Sequence, residues 1–221
     1  MPMPIAAQIL ALLGASNAAA SANQEQASFR INGVSFEMPV PAGYCLPSGE
    51  QVDVIQIMAA ADDRNLTHLA FLRCDGQNDP YQDYVLVKTP RQAVSMSMTR
   101  DQLLLSMEGE FRNGPLADRR ARQALIGSAR ESFSSTTGVA MELDGDIRPL
   151  GLDDRCAYLG GSFTVTSPDI TYSLSLGGCI TATEDRVFWI AWYGPRQGSA
   201  GVEDLLARSR SLAEQVRRAA R

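Results

Sequence analysis

The sequence predicts an α+β fold, in which an antiparallel sheet packs against helices. Three features carry this prediction: an Asn-Gly hairpin near the start, a helical middle third, and a period-two pattern from Ile147 that precedes a last amphipathic helix. Strands that flank a helical block and are followed by a packing helix are typical of layered α+β domains.

The first twenty-two residues are predicted to be a secretory signal peptide. They carry no charged side chain, contain an apolar stretch from Ile5 to Gly14, and end in the small residues Ala20-Ser21-Ala22, an A-x-A cleavage site. We therefore expect residues 1–22 to be removed and residues 23–221 to form a single α+β domain in the periplasm or outside the cell. A frayed N-terminal helix is the alternative interpretation.

The export prediction decides how the four cysteines are interpreted, because an even number of cysteines outside the cytosol usually indicates disulfides. Alternation places Cys156 and Cys179 on one face of two strands that the Ser167-Pro168-Asp169 turn joins, so that they can lie opposite or one step diagonal. Cys45 is then left to pair with Cys74.

The N-terminal elements follow from turn residues and alternation. Asn32-Gly33 between two alternating segments predicts a hairpin, which the prolines from Pro39 onward end. The segment Gln51 to Ala61 fits a helix or a strand, and we favour the helix. Short strands are predicted at Leu69 to Cys74 and at Tyr84 to Lys88.

The middle third is predicted to hold two helices. Thr99 and Gln102 form a capping box, and Asn113-Gly114-Pro115 ends that helix and starts the next. The second helix is predicted from Leu116 to Ser132, with Gly138 closing it.

A hairpin with one buried and one Ser/Thr-rich face is predicted after Ile147, where Asp144-Gly145-Asp146 is taken as a turn. Val187 to Tyr193 is apolar on both faces, which predicts a central strand. A helix behind Ser199 follows, and the C-terminal arginines are expected at its end, where they oppose the helix dipole.

The order of these elements, together with the segment from Phe36-Glu37-Met38-Pro39 to Gly43-Tyr44, resembles the PsbP-like family. That family has an α/β/α sandwich shared by photosystem II accessory proteins and a Ran-binding nuclear import factor. The resemblance implies a small accessory or binding module with no chemistry common to the whole fold. None of the family's metal-binding histidines matches a position here, where His68 is the single histidine.

Functional residues are hard to find in the sequence. The net charge of −5 argues against nucleic acid or an anionic membrane as the main partner. His68 is expected to be a surface or hydrogen-bonded residue. The sequence contains three acidic pairs, which are Asp62-Asp63, Asp144-Gly145-Asp146 and Asp153-Asp154. Their carboxylates could be glycosidase acids or calcium ligands, although we favour the interpretation that they lie in solvated loops. Trp189, Trp192 and Tyr193 are expected in the core, with a ligand pocket as the alternative.

The sequence thus predicts no catalytic, cofactor or metal site and no transmembrane segment. We expect an exported, non-enzymatic binding or accessory protein whose partner is a protein or small molecule of the envelope. The rivals are a hydrolase that uses acidic loop residues and a structural subunit of an envelope complex. A polar cleft with two acidic pairs would favour the hydrolase, a broad exposed apolar patch the subunit, and a closed apolar pocket the binding of a small ligand.

Overall fold

The computed structural model describes residues 25–74 and 82–220. The predicted signal peptide at 1–22 and the polar loop at 75–79 lie outside the described residues. All four cysteines and His68 lie inside them.

An Asn-Gly turn joins the first two strands, as predicted. Strand β1 (Gln26–Ile31) pairs antiparallel with β2 (Val34–Pro39). Asn32 and Gly33 have φ angles of 44° and 84°, and a type I′ hairpin turn requires such positive values at both central residues. The turn therefore fixes the register of a hairpin whose inner side chains join the core.

A seven-stranded antiparallel sheet forms the centre of the fold, in the order β3-β4-β5-β9-β8-β7-β6. Its strands are β3 (Tyr44–Cys45), β4 (Asn65–Arg73), β5 (Tyr84–Pro90), β6 (Glu142–Leu152), β7 (Ala157–Thr166), β8 (Thr171–Thr183) and β9 (Arg186–Pro195). Strand β9 is the fourth of the seven, which confirms the prediction that the stretch from Val187 to Tyr193 is a central strand. Strands β4 and β5 extend beyond the short segments that the sequence predicted.

Helices and the hairpin cover both faces of this sheet. The helices are α1 (Glu50–Ala61), α2 (Arg100–Asn113), α3 (Arg119–Thr137) and α4 (Gly198–Glu214). On one face, α4 and the hairpin pack on the sheet through Phe36, Phe188 and Leu212. On the other face, α1, α2 and α3 lie against the strands. This arrangement confirms the predicted α+β class and its sandwich layers.

The predicted helix boundaries depend on capping residues. The Thr99 hydroxyl accepts a hydrogen bond from the Gln102 backbone, and the Gln102 side chain accepts one from the Thr99 backbone, which is the predicted capping box. Helix α3 starts later than the predicted range of Leu116 to Ser132, because Asp118 caps it by accepting two backbone N–H groups. Gly138 closes the helix in the left-handed conformation, with φ 71°.

The prediction of a turn at Asp144-Gly145-Asp146 is wrong, because these residues lie inside β6. Gly145 pairs with Phe163 of β7, and a Cβ atom on Gly145 would overlap the backbone of that strand. The glycine is therefore explained by close strand packing instead of by a turn. The sheet gains a strand that the sequence analysis did not count.

Helix α4 covers the Ser/Thr-rich face of the predicted hairpin. At Gly177 the helix comes so close that a Cβ atom there would lie 2.5 Å from the Leu206 nitrogen. The buried Ser209 hydroxyl donates to the Gly177 carbonyl at 2.7 Å. After the helix, Arg217–Arg218 forms β10, which pairs with β2. The expectation that these two arginines lie at the helix end is wrong, because they belong to a strand.

Candidate functional site

A cavity of about 530 Å³ lies between α1, α3 and one face of the large sheet. Helix α1 contributes Ile55 and Met58, helix α3 contributes Ile126 and Phe133, and the sheet contributes mainly aromatic and aliphatic side chains. Protein interiors rarely contain voids much larger than a water molecule. Pockets that enclose small ligands usually measure roughly 300–1,000 Å³ and are mostly apolar, so this cavity has the size and lining of a ligand site.

The two helices over the cavity explain why it is not filled. Ala61 is the one buried residue of α1, and α3 buries none of its nineteen residues. Helices in proteins are stabilised mainly by burying an apolar face. The apolar stripe of α3 that includes Ile126, Ala129 and Phe133 instead faces the cavity, so an occupant would complete the packing of this helix.

Stacked aromatic rings form part of the sheet wall. Tyr84 and Tyr193 stack with ring centroids 4.4 Å apart and an interplanar angle of 14°. Phe163 meets Tyr193 edge to face at 6.2 Å. Burial raises the pKa of both tyrosines, which keeps the phenols neutral. The wall is therefore largely aromatic and carries no phenolate charge.

A buried ion pair lies at one end of the cavity. Lys88 of β5 is only 7% exposed, and its Nζ lies 2.7 Å from Oδ2 of Asp62, the residue that follows α1. Asp62 also accepts hydrogen bonds from the Asn65 side chain and backbone and from the Arg64 backbone. The turn between α1 and β4 thus holds the carboxylate in place for the lysine.

The pair keeps both groups charged in spite of their burial. Burial opposes ionisation of Asp62, but the Lys88 ammonium outweighs it and holds the pKa of Asp62 below its usual value. Burial likewise opposes the charge on Lys88, but Tyr193 and Asp62 together raise its pKa above the usual value. The site therefore contains a permanent ion pair whose net charge is zero.

Trp189 of β9 lines the cavity beside Lys88, its register partner on β5. Its Nε1 atom is buried and has no hydrogen-bond partner among the residues that the structure describes. The indole lies over Gly178 of β8, where a Cβ atom would overlap Nε1. Gly178 thus covers the N–H group, and the indole contributes an apolar ring to the cavity wall.

The aromatic cluster that the sequence singled out is divided between the two faces of the sheet. Trp189 and Tyr193 line the cavity, as in the pocket alternative, whereas Trp192 lies in the core of the opposite face. There, Trp192 Nε1 donates to the Tyr44 hydroxyl at 3.1 Å. The Tyr44 hydroxyl donates to Asp83, and burial together with this hydrogen bond raises the pKa of Tyr44 to about 12.

The three acidic pairs have separate structural roles and do not meet. Asp62 belongs to the cavity, Asp146 accepts hydrogen bonds from Arg122 of α3, and Asp153 accepts backbone N–H groups ahead of β7. Within residues 25–74 and 82–220, no three His, Cys, Asp or Glu side chains are grouped so that they could bind a metal ion.

The other predicted site residues stabilise the fold. Both predicted cysteine pairs lie at disulfide distance, with Cα atoms 5.3 Å apart for Cys45–Cys74 and 5.2 Å for Cys156–Cys179. Half-buried His68 packs beside Phe29, and its Nε2 lies 2.9 Å from the hydroxyl of buried Thr89. Burial lowers the pKa of His68, so the imidazole is neutral at pH 7.

Lys88 is the functional candidate that the sequence analysis missed. A signal for it existed, because Tyr84-Val85-Leu86-Val87-Lys88-Thr89 is a strand that is buried along its length. A lysine inside such a strand needs a buried partner. The partner could not be identified from the sequence, because it lies across a helix-to-strand turn.

No protein-family model matches the chain, and no curated protein matches its sequence. Among solved structures, the solution structure of cyanobacterial PsbP (CyanoP) from Synechocystis sp. PCC 6803 is similar, with a TM-score of 0.41 and 12% sequence identity. The similarity covers 94% of this chain and 99% of that chain. The similarity concerns the fold alone. Among the helices of the described ranges, none is long and apolar enough to cross a bilayer.

Proposed function

We propose that this protein is a non-enzymatic binding protein that holds a small, largely apolar molecule in the cavity between α1, α3 and the large sheet. The cavity itself is the observation that supports the proposal. Its volume of about 530 Å³ and its apolar lining match small-ligand sites. Its lining includes one buried charged donor, Lys88, as expected where a polar group orients a ligand.

The hydrolase alternative has less support. It requires a polar cleft with two acidic pairs, but the cavity lining includes Asp62-Asp63 and neither of the other two pairs. In addition, Asp62 is already paired with Lys88 and hydrogen-bonded to Asn65. A carboxylate held in this way is a poor general acid, because its pKa lies below the usual value.

The place of action that we propose is the periplasm or the exterior of the cell. Two disulfides in a chain of this size fit an oxidising compartment, and the composition of residues 1–22 fits a signal peptide. N-terminal sequencing of the exported protein is expected to start near Asn23. Recovery of an intact Met1 from a cytosolic pool would contradict the export proposal.

Binding is tested with N-phenylnaphthylamine, an uncharged dye that fluoresces in apolar surroundings. We expect the purified protein to bind it and Ala129→Phe to weaken binding by at least about tenfold, because Ala129 lines the cavity. Ala124→Phe is the matched control, since Ala124 is an exposed residue of the same helix that does not line the cavity. Absence of dye binding to the wild-type protein, or an equal effect of both substitutions, would refute the proposal.

A further inference from the structure

The polar groups of the cavity offer hydrogen-bond donors to a ligand, and the main acceptor among them is already occupied. Oδ1 of Asp62 accepts from the backbone N–H groups of Arg64 and Asn65 and from the Asn65 side chain. Oδ2 accepts from the Asn65 side chain and from Lys88. A carboxylate has about four lone-pair sites, so Asp62 has none left for a ligand.

Lys88 is in the opposite situation. Its ammonium group carries three N–H donors, and among the described residues one acceptor, Asp62, lies within hydrogen-bond distance. Lys88 also lines the cavity, and its remaining N–H groups have no acceptor among residues 25–74 and 82–220. Trp189, on the strand next to Lys88, also lines the cavity, but Gly178 covers its Nε1 atom, so Lys88 is the donor that the cavity offers. An acceptor on the occupant of the cavity can therefore accept a hydrogen bond from Lys88.

The charges of the lining cancel. Asp62 and Asp63 are the acids among the lining residues, and Arg64 and Lys88 are the bases. An anionic ligand would leave an uncompensated negative charge beside the apolar lining and the buried ion pair, which is unfavourable. A neutral acceptor would gain a charge-assisted hydrogen bond without changing this balance.

We propose that the ligand is an uncharged, flat apolar molecule with a carbonyl-type acceptor, whose oxygen accepts a hydrogen bond from Lys88. The aromatic side chains in the lining, which include Phe163 and Tyr193, favour contact with another aromatic ring system, and the carbonyl lies toward the ion pair. This inference rests on the binding function proposed above and adds the chemistry of the ligand. It makes Lys88 a specificity-determining residue and Asp62 the residue that sets the charge of the site.

Three molecules with the same ring system separate the possibilities: acetylnaphthalene, ethylnaphthalene and naphthoate. Each is titrated against bound N-phenylnaphthylamine at neutral pH. We expect acetylnaphthalene to bind about tenfold more tightly than ethylnaphthalene, the ratio that one hydrogen bond to a charged donor supports. Naphthoate is expected to bind more weakly than the ketone.

Variants at the ion pair provide the second part of the test, with folding checked by circular dichroism. The double variant Lys88→Met/Asp62→Asn has no charge at this place and is expected to bind the ketone and the hydrocarbon equally. Asp62→Asn alone leaves Lys88 uncompensated and is expected to reverse the wild-type order, so that naphthoate binds best. The wild-type ranking remains a test even if a variant does not fold.

The outcomes distinguish this inference from the proposed function. If the wild-type protein binds the dye but ranks ketone and hydrocarbon equally, or prefers naphthoate, the neutral-acceptor inference is wrong and the binding function stands. If the dye does not bind to the wild-type protein at all, the binding function itself is wrong. The predicted wild-type order, lost in the double variant, supports both.

Discussion

Removing Lys88 alone is expected to destabilise the protein far more than removing the whole ion pair. Lys88→Met leaves the Asp62 carboxylate without its cation, and breaking a buried pair in this way costs about 3–5 kcal/mol. Asp62 keeps its hydrogen bonds to Asn65, and its side chain is 20% exposed, so we expect the low end, about 3 kcal/mol. Lys88→Met/Asp62→Asn is expected to lie within about 1 kcal/mol of the wild-type protein, because no charge is left unpaired.

Urea unfolding followed by circular dichroism measures these differences. With a slope of about 2–3 kcal/mol/M, the Lys88→Met variant should lose roughly 1 M in its unfolding midpoint. Arg112→Met is the control, since the Glu108–Arg112 pair is exposed, with side chains 50% and 68% accessible. Its expected cost is below about 0.5 kcal/mol. A Lys88→Met protein as stable as the wild-type, or a double variant no more stable than the single one, would refute this account of the pair.

The Asp62–Lys88 pair is expected to make the free energy of unfolding depend on pH. Because the pKa of Asp62 is lowered in the folded protein, its contribution is present above the unfolded pKa of about 4 and is lost as the pH falls. The pKa of Lys88 is raised, so its contribution is present below about 10.4 and is lost as the pH rises through the folded value. The double variant should show neither of these losses at this position.

Three further predictions concern two glycines near the cavity, one disulfide and His68. Gly178→Ala should move the Trp189 indole and weaken dye binding, because a Cβ atom there overlaps Nε1; unchanged dye binding would contradict this prediction. Gly127→Ala, in open space on α3, should instead stabilise the protein by about 0.5–1 kcal/mol in urea unfolding. Replacing both Cys156 and Cys179 with alanine should lower the free energy of unfolding by about 3 kcal/mol, as expected for a sequence separation of 23. Non-reducing peptide mapping that linked either cysteine to another partner would contradict the pairing. The free energy of unfolding should fall as the pH drops below about 6.5, because burial lowers the pKa of His68 and the folded state prefers the neutral imidazole. His68→Gln should make the free energy of unfolding less dependent on pH in this range. An unchanged pH dependence would exclude His68 as its cause.

The features that the sequence predicted well are those set by neighbouring residues. Asn32-Gly33 specifies its turn through the backbone angles of two residues, and the capping box of Thr99 and Gln102 specifies a helix start within three residues. Cysteine pairing also followed from local geometry, since a hairpin register relates Cys156 to Cys179 across a single turn.

The cavity could not be predicted in this way, because it depends on elements that are far apart in the sequence. Its wall joins residues such as Met58, Phe133 and Tyr193, which meet only after the strands have assembled. The Asp144-Gly145-Asp146 strand was missed for a related reason. Turn-forming residues were tolerated inside β6 because β7 supplied a neighbour for close packing and Arg122 supplied a partner for Asp146.

The unequal covering of the two sheet faces has a consequence for motion. On the α4 side, the backbone contact at Gly177 and the Ser209–Gly177 hydrogen bond join the helix to the sheet, and the Cys156–Cys179 bridge links the start of β7 to β8 beneath it. On the other side, α3 buries none of its residues, so its amide hydrogens should exchange with solvent through local opening at a small free-energy cost. We therefore expect slower hydrogen exchange in α4 than in α3, the helix that lies over the cavity.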